Sequence, residues 1–137
     1  MKVEFFEKNN HFDVRAIKAG VYKVDLLKEG KKPLCLYVGE SVWMASRCGR
    51  HLYAFMENPE YFGLTEKERD SDEYILRFSV VEVIKEEKSK SPEIYKKKEL
   101  EAIQKYAPLT QSRTSDRQSS KRKENVRKAM QDWEDID

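Results

Sequence analysis

Two strand patterns joined by a turn limit most strongly what this chain can fold into. Residues 19–27 alternate between two faces, which is the period of a half-buried strand. The turn sequence KEGKKP follows, and a second short strand pattern extends from Leu34 to Val38. We therefore expect the two segments to pair as a β-hairpin.

The residues after the hairpin predict a helix. Four apolar side chains recur at helical spacing and predict its buried stripe. They are Met44, Cys48, Leu52 and Phe55. Ser41 is the expected N-cap, and the helix has to end before Pro59. Residues 57–73 are acidic and polar apart from one aromatic pair, so they predict a loop or a short extra helix.

A strong strand and a second helix complete the pattern. The near-continuous apolar run from Tyr74 to Ile84 predicts a strand in a central position. A helix opens at Pro92, reaches about Tyr106 and is stopped by Pro108. The sequence thus predicts an α+β fold, a β-β-α-β-α domain with a three-stranded, mainly antiparallel sheet flanked by helices.

The composition changes after residue 111, which divides the chain into a domain over 1–111 and a tail over 112–137. The tail begins as a basic, Ser-rich stretch that predicts a flexible linker. Its basic residues are Arg113, Arg117, Lys121, Arg122, Lys123, Arg127 and Lys128. A short amphipathic helix follows, with Val126, Ala129, Met130, Trp133 and Ile136 at helical spacing. This apolar stripe has to dock, either on the domain, on a partner protein or on a second copy of the chain.

Composition and cysteine usage favour a cytoplasmic protein with no membrane contact. Charged residues make up 38% of the 137 residues, and no apolar run approaches the roughly 18 residues of a membrane helix. The first residues lack the apolar core of a signal peptide. Cys35 and Cys48 are expected to stay free thiols. A zinc site built from these two and His51 lacks a fourth ligand.

Five chemically useful residues follow one another along the chain in a fixed order. Tyr22 ends the tripeptide GVY at 20–22, and Tyr37 begins the tripeptide YVG at 37–39. Arg47 lies eight residues after Gly39, and His51 lies four residues after Arg47. Glu99 lies nine residues before Pro108. This order and spacing resemble the GIY-YIG nuclease family.

The resemblance covers roughly residues 19–111 and departs from the family in three places, one of which is that this chain has only its basic tail where members fused to homing or restriction modules carry separate recognition elements. Fourteen residues separate Tyr22 from Tyr37, a little more than is typical, and the turn between the strands can absorb them. Gln111 stands at the position where the family usually has Asn. Both side chains are amides, so Gln111 can play the same structural part in closing the end of the domain.

The resemblance implies a metal-dependent endonuclease that hydrolyses phosphodiester bonds in DNA. It places the hydroxyls of Tyr22 and Tyr37 at the reaction centre, the first as a general base for the attacking water. Arg47 carries a permanent charge that stabilises a phosphoryl group, and His51 can take a proton from a tyrosine or from water. Glu99 shares a helical face with apolar residues, so it can hold Mg²⁺ or Mn²⁺.

Basic side chains predict contact with DNA phosphates rather than with bases. The residues assigned to this surface are Arg50, Arg113, Arg117, Lys121, Arg122 and Lys123. An alternative function is a catalytically inactive relative that only binds nucleic acid or a partner protein. In that alternative the two tyrosines are core aromatics, Arg47 and His51 are a solvated pair, and Glu99 is one charge among many.

Overall fold

The computed structural model describes residues 1–115 and 117–135 and is built on a four-stranded mixed sheet. The strands are β1 (Lys2–Phe5), β4 (Gly20–Lys28), β5 (Leu34–Ser41) and β6 (Tyr74–Val83). Their order across the sheet is β1-β6-β4-β5. The strands β2 (Glu7–Lys8) and β3 (His11–Phe12) follow β1 in the chain and form a separate two-stranded sheet.

The predicted hairpin and the predicted central strand are both present. β4 pairs antiparallel with β5, from Gly20 opposite Ser41 to Leu26 opposite Leu34. β6 pairs antiparallel with the other side of β4. Since β6 lies between β1 and β4, its long apolar run is explained by neighbours on both edges.

The sheet has one strand more than the sequence analysis predicts. β1 pairs parallel with β6, with Lys2 opposite Ile75 and Phe5 opposite Phe78. Only Val3 and Phe5 of this strand pack against the core, and they alternate with charged residues. The α+β class is therefore right, whereas the expected three-stranded sheet is wrong because this short, half-polar strand escapes notice.

Four α-helices accompany the sheet in the part of the chain that is described. They are α1 (Met44–Glu57), α2 (Glu66–Arg69), α3 (Pro92–Tyr106) and α4 (Arg122–Asp135). Single 3₁₀ turns occur at Val14–Ile17 and Pro59–Phe62. None of the helices in the described ranges is long and apolar enough to cross a membrane. Ser41 is not the N-cap of α1, since it ends β5 and Trp43 precedes the helix.

The two faces of the sheet carry two separate apolar cores. Tyr22 and Tyr37 belong to the core on the side of α1. Their neighbours Val21 and Val38 belong to the core on the side of α3, because successive strand residues point in opposite directions. The buried stripe of α1 consists of Met44, Cys48, His51 and Phe55, so His51 takes a place that the sequence analysis gives to Leu52.

The C-terminal helix packs on the domain itself. Val126, Met130 and Trp133 of α4 are buried in the same core as Tyr22. The indole N–H of Trp133 donates to the carbonyl of Lys32 at 2.8 Å. Of the docking sites considered from the sequence, the structure shows the one on the chain's own core. Ile136, the last apolar position of the predicted helix, lies outside the described residues.

The segment between α3 and α4 also contacts the sheet. The backbone N–H groups of Leu109 and Thr110 donate to carbonyls of β5 at 3.0 and 3.1 Å. Ser112 and Ser119 then bond back to Arg117 and Thr110, so the stretch folds on itself beside the sheet edge. The residues on both sides of position 111 thus share one packed structure.

Candidate active site

The two tyrosine motifs meet through a glycine. Tyr22 lies opposite Gly39 in the pairing of β4 with β5, and its ring passes over that residue. A β-carbon at residue 39 would lie 2.5 Å from the hydroxyl oxygen of Tyr22, which is closer than any real side-chain carbon approaches. The glycine of YVG therefore makes room for the hydroxyl group of GVY.

The rings of Tyr22, Tyr37 and His51 form one buried group. The two phenol rings stack with centroids 6.3 Å apart and an interplanar angle of 19°. The centroid of the His51 ring lies 4.8 Å from that of Tyr37. All three side chains are buried, and Tyr22 and His51 are each only 1% exposed. Residues from two strands and one helix are brought together in this way.

His51 forms a hydrogen bond at each ring nitrogen. Its Nε2 lies 2.7 Å from the hydroxyl oxygen of Tyr22. Its Nδ1 lies 2.7 Å from the hydroxyl oxygen of Tyr61, in the 3₁₀ turn Pro59–Phe62. Sequence reasoning missed Tyr61, although the aromatic pair at residues 61–62 was the one signal within the otherwise polar stretch 57–73.

Arg47 lies one helical turn before His51 and completes the cluster. Its side chain is exposed to solvent, and its guanidinium interacts electrostatically with the hydroxyls of Tyr22, Tyr37 and Tyr61. Burial opposes the charge of Arg47, but the three phenols outweigh it and raise the pKa of this side chain. A permanent positive charge therefore lies among three hydroxyl groups and an imidazole.

Burial controls the protonation of the central pair. It lowers the pKa of His51 to about 4, and the nearby charge of Arg47 adds to the decrease. Burial also raises the pKa of the Tyr22 hydroxyl far above its usual range. At neutral pH the imidazole is therefore uncharged and the phenol keeps its proton.

Glu99 lies on α3, the helix on the other face of the sheet from these residues. The residues one turn away from it on this helix, Tyr95, Ala102 and Ile103, are buried together with Val38. Glu99 itself is half-buried, and its Oε2 is closed off from solvent. The structure thus groups Tyr22, Tyr37, Arg47 and His51 on one face and places Glu99 on the helix that covers the other.

Glu99 is the one carboxylate that the motif offers to a divalent cation. Within residues 1–115 and 117–135, no group of three or more His, Cys, Asp or Glu side chains is arranged to hold a metal ion. Mg²⁺ in proteins is commonly bound by one or two carboxylates, while waters and substrate phosphates complete its shell. Glu99 fits that pattern as a single carboxylate anchor.

Only some of the basic residues predicted to contact DNA point freely to solvent. Arg50, Arg113, Arg117 and Lys121 are exposed. Arg122 and Lys123 instead bind Glu60: the guanidinium donates to its carbonyl at 2.9 Å, and the ammonium lies 2.9 Å from its carboxylate. These two residues therefore fasten the start of α4 to the turn that carries Tyr61.

Comparison of the chain with family models, curated proteins and solved structures gives no match. The functional argument therefore rests on the motif order and on the geometry of the residues themselves.

Proposed function

We propose that this protein is a metal-dependent endonuclease that hydrolyses phosphodiester bonds in DNA and belongs with the GIY-YIG nucleases. The observation that carries the proposal is the 2.7 Å contact between the Tyr22 hydroxyl and Nε2 of His51, two motif residues 29 positions apart. Arg47, the residue that the motif places between them, interacts electrostatically with the same hydroxyl. The proposed base Tyr22 thus has a proton acceptor, His51, and a cation, Arg47, beside its hydroxyl oxygen.

Each residue has a distinct part in the proposed hydrolysis. Tyr22 takes the proton of the attacking water while passing its own proton to Nε2 of His51, so the phenol never has to exist as a free anion. Arg47 stabilises the negative charge that gathers on the phosphoryl oxygens. Tyr37, stacked beside Tyr22, orients the water or the phosphate.

Glu99 would hold Mg²⁺ or Mn²⁺. The cation, when bound, supplies positive charge to the phosphoryl and leaving oxygens.

Exposed basic residues suit a sequence-independent hold on the DNA backbone. Arg50 lies on α1, one helical turn after Arg47. Arg113, Arg117 and Lys121 lie on the stretch between α3 and α4. Phosphate contacts of this type raise affinity and make it depend on salt without selecting a sequence.

Burial favours a second candidate, a relative that binds nucleic acid or protein without cleaving it. Tyr22 and His51 are each 1% exposed, as core residues are. In such a protein the hydrogen bonds around His51 would only stabilise the core.

Cleavage of supercoiled plasmid separates the two candidates. We expect nicking by the purified protein with Mg²⁺ or Mn²⁺, and none when a chelator is added. Glu99→Gln should abolish nicking while leaving DNA binding intact. Glu101→Gln, an exposed change two residues away on the same helix, is the matched control and should cut normally. A wild-type protein that binds DNA but never cuts it would support the second candidate.

A further inference from the structure

The turn that carries Tyr61 has no part in the motif, yet it reaches the centre of the site. Resting on the proposed function, we infer that Tyr61 is a positioning residue for cleavage: its hydroxyl fixes the tautomer of His51 and gives the proton that leaves Tyr22 an outlet to solvent.

The three side chains form a continuous chain of hydrogen bonds. One step joins Tyr22 to Nε2 of His51 and the next joins Nδ1 to Tyr61, each 2.7 Å long. Exposure increases along the chain, because Tyr22 and His51 are buried whereas Tyr61 is partly exposed. The chain therefore leads from the proposed base to the surface.

The tautomer of His51 decides whether this chain can carry a proton. A neutral imidazole has one N–H donor and one bare nitrogen acceptor. Tyr22 can give up a proton only to a bare Nε2, so the ring proton has to be on Nδ1. Tyr61 then accepts from Nδ1, which leaves its own O–H free to donate to water. The cation of Arg47 beside the Tyr22 oxygen directs the Tyr22 O–H toward Nε2, and Tyr61 supplies the acceptor oxygen that the Nδ1–H form of His51 then needs.

The proton balance explains why an outlet is needed. The O–H bond of the attacking water breaks as Tyr22 gains that proton and gives its own to Nε2. The Nδ1 proton passes to the Tyr61 oxygen, whose original proton goes to solvent. One proton thus moves from the attacking water to bulk water without an imidazolium, and the same relay run in reverse, as Tyr22 protonates the leaving oxygen, returns His51 to the Nδ1–H form. Burial and the charge of Arg47 both disfavour that cation.

The backbone of Tyr61 is held from both sides. Its N–H donates to the carbonyl of Asn58 at 2.9 Å. Its carbonyl accepts from Nε2 of Gln118 at 3.0 Å. Its ring packs edge-on against Phe62, with centroids 5.0 Å apart. These contacts fix the position of the hydroxyl without help from His51, so removing only the hydroxyl should leave the turn in place.

Nitrogen NMR of the histidines tests the positioning role without any need for activity. The chain has two histidines, and His11 is exposed and serves as the internal reference. At pH 7 we expect His51 to carry its proton on Nδ1 in the wild type. Tyr61→Phe should shift His51 toward protonation at Nε2 while His11 stays unchanged. A wild-type His51 protonated on Nε2, or one that Tyr61→Phe does not alter, would overturn the inference.

Kinetics test the outlet. Tyr61→Phe should lower kcat by on the order of 10²-fold, the lower limit for a lost proton-transfer group, with KM and melting temperature unchanged. Its solvent deuterium isotope effect should differ from that of the wild type. Tyr53→Phe, at a tyrosine that is 68% exposed on α1, is the control and should behave as wild type. A kcat for Tyr61→Phe equal to that of the wild type would refute the outlet.

Failure of the wild type to cut DNA would instead reject the proposed function, while the NMR result would still decide the role of Tyr61.

Discussion

The side-chain amide of Gln111 pairs with the backbone of Val38 in both directions. Its Oε1 accepts from the Val38 N–H at 2.7 Å, and its Nε2 donates to the Val38 carbonyl at 2.6 Å. β5 is an edge strand of the main sheet, so its outer peptide groups have no neighbouring strand there. Gln111 takes the place of that strand at one residue.

Gln111→Ala should therefore destabilise the protein. The change leaves two buried backbone groups at Val38 without these bonds, and an unsatisfied buried group costs about 1–3 kcal/mol. Urea denaturation measures the loss as a lower midpoint. Gln104→Ala removes an exposed amide from α3 and should change the midpoint little. Equal midpoints for the two variants would show that the pairing at Val38 contributes nothing.

Gly39 and Gly49 should respond in opposite directions to alanine. Gly39→Ala forces a methyl group against the Tyr22 hydroxyl, and overpacking of this kind costs about 1–3 kcal/mol. Gly49 lies within α1 with open space where a β-carbon would be. Gly49→Ala should stabilise the helix by about 0.5–1 kcal/mol. Thermal denaturation of both variants gives the comparison, and a harmless Gly39→Ala would contradict the tight fit.

The segments that sequence reasoning finds are those with a local period. The hairpin, α1, β6 and α3 each repeat polar and apolar residues at the spacing of their own structure, so a short window is sufficient. β1 has four residues, and its partner lies some seventy positions away in β6. Nothing near it in sequence indicates that pairing.

The residues of the candidate site also divide into those that a sequence pattern predicts and those that only the fold brings in. Tyr22, Tyr37, Arg47 and His51 are identified by a motif whose members lie close in sequence, and the structure brings these four together. Tyr61 reaches His51 only because a 3₁₀ turn at Pro59–Phe62 directs it back toward α1. The sequence also gives no sign that His51 is buried, since an Arg/His pair on a helix looks solvated.

Arg47 and Arg50 should separate charge stabilisation from DNA affinity. Arg47→Ala removes the cation that contacts Tyr22, and loss of one such preorganised group lowers kcat by on the order of 10² to 10³-fold. Arg50→Ala removes an exposed charge on the same helix and should mainly raise KM. Steady-state cleavage of a labelled duplex measures both constants. A protein unfolded by Arg47→Ala would show that this arginine is structural.

The stability of the protein should fall as the pH decreases from about 6.5 toward 4 because of His51. In the unfolded chain its pKa is near 6.5, whereas in the folded protein it is about 4. The unfolded state therefore binds a proton in this range that the folded state does not, which costs roughly 3 kcal/mol by pH 4. His51→Gln should flatten this part of the profile, and His11→Gln should not. A His51→Gln profile parallel to that of the wild type would contradict the assignment.

Salt dependence should identify the basic residues that contact DNA. The triple change of Arg113, Arg117 and Lys121 to Ala should reduce the slope of log affinity against log salt by roughly 2 to 3, because each phosphate contact contributes about 0.9. The matched control removes three exposed charges from another region, Lys85, Lys96 and Lys97. Equal slopes for the two triple variants would reject the predicted surface. Arg122 and Lys123 are left intact because they hold Glu60.

Because α4 packs on the domain, the site cannot be completed during translation before α4 has been made. A nascent chain that has left the ribosome as far as α3 already has Tyr22, Tyr37, Arg47, His51 and Glu99. It still lacks Gln118 and Arg122, which hold the Tyr61 turn, and the three α4 side chains that fill the core beside it. A domain generally folds as a unit once its residues are available. The centre can therefore be completed only after residues 118–133, which follow every residue of the motif, have left the ribosome.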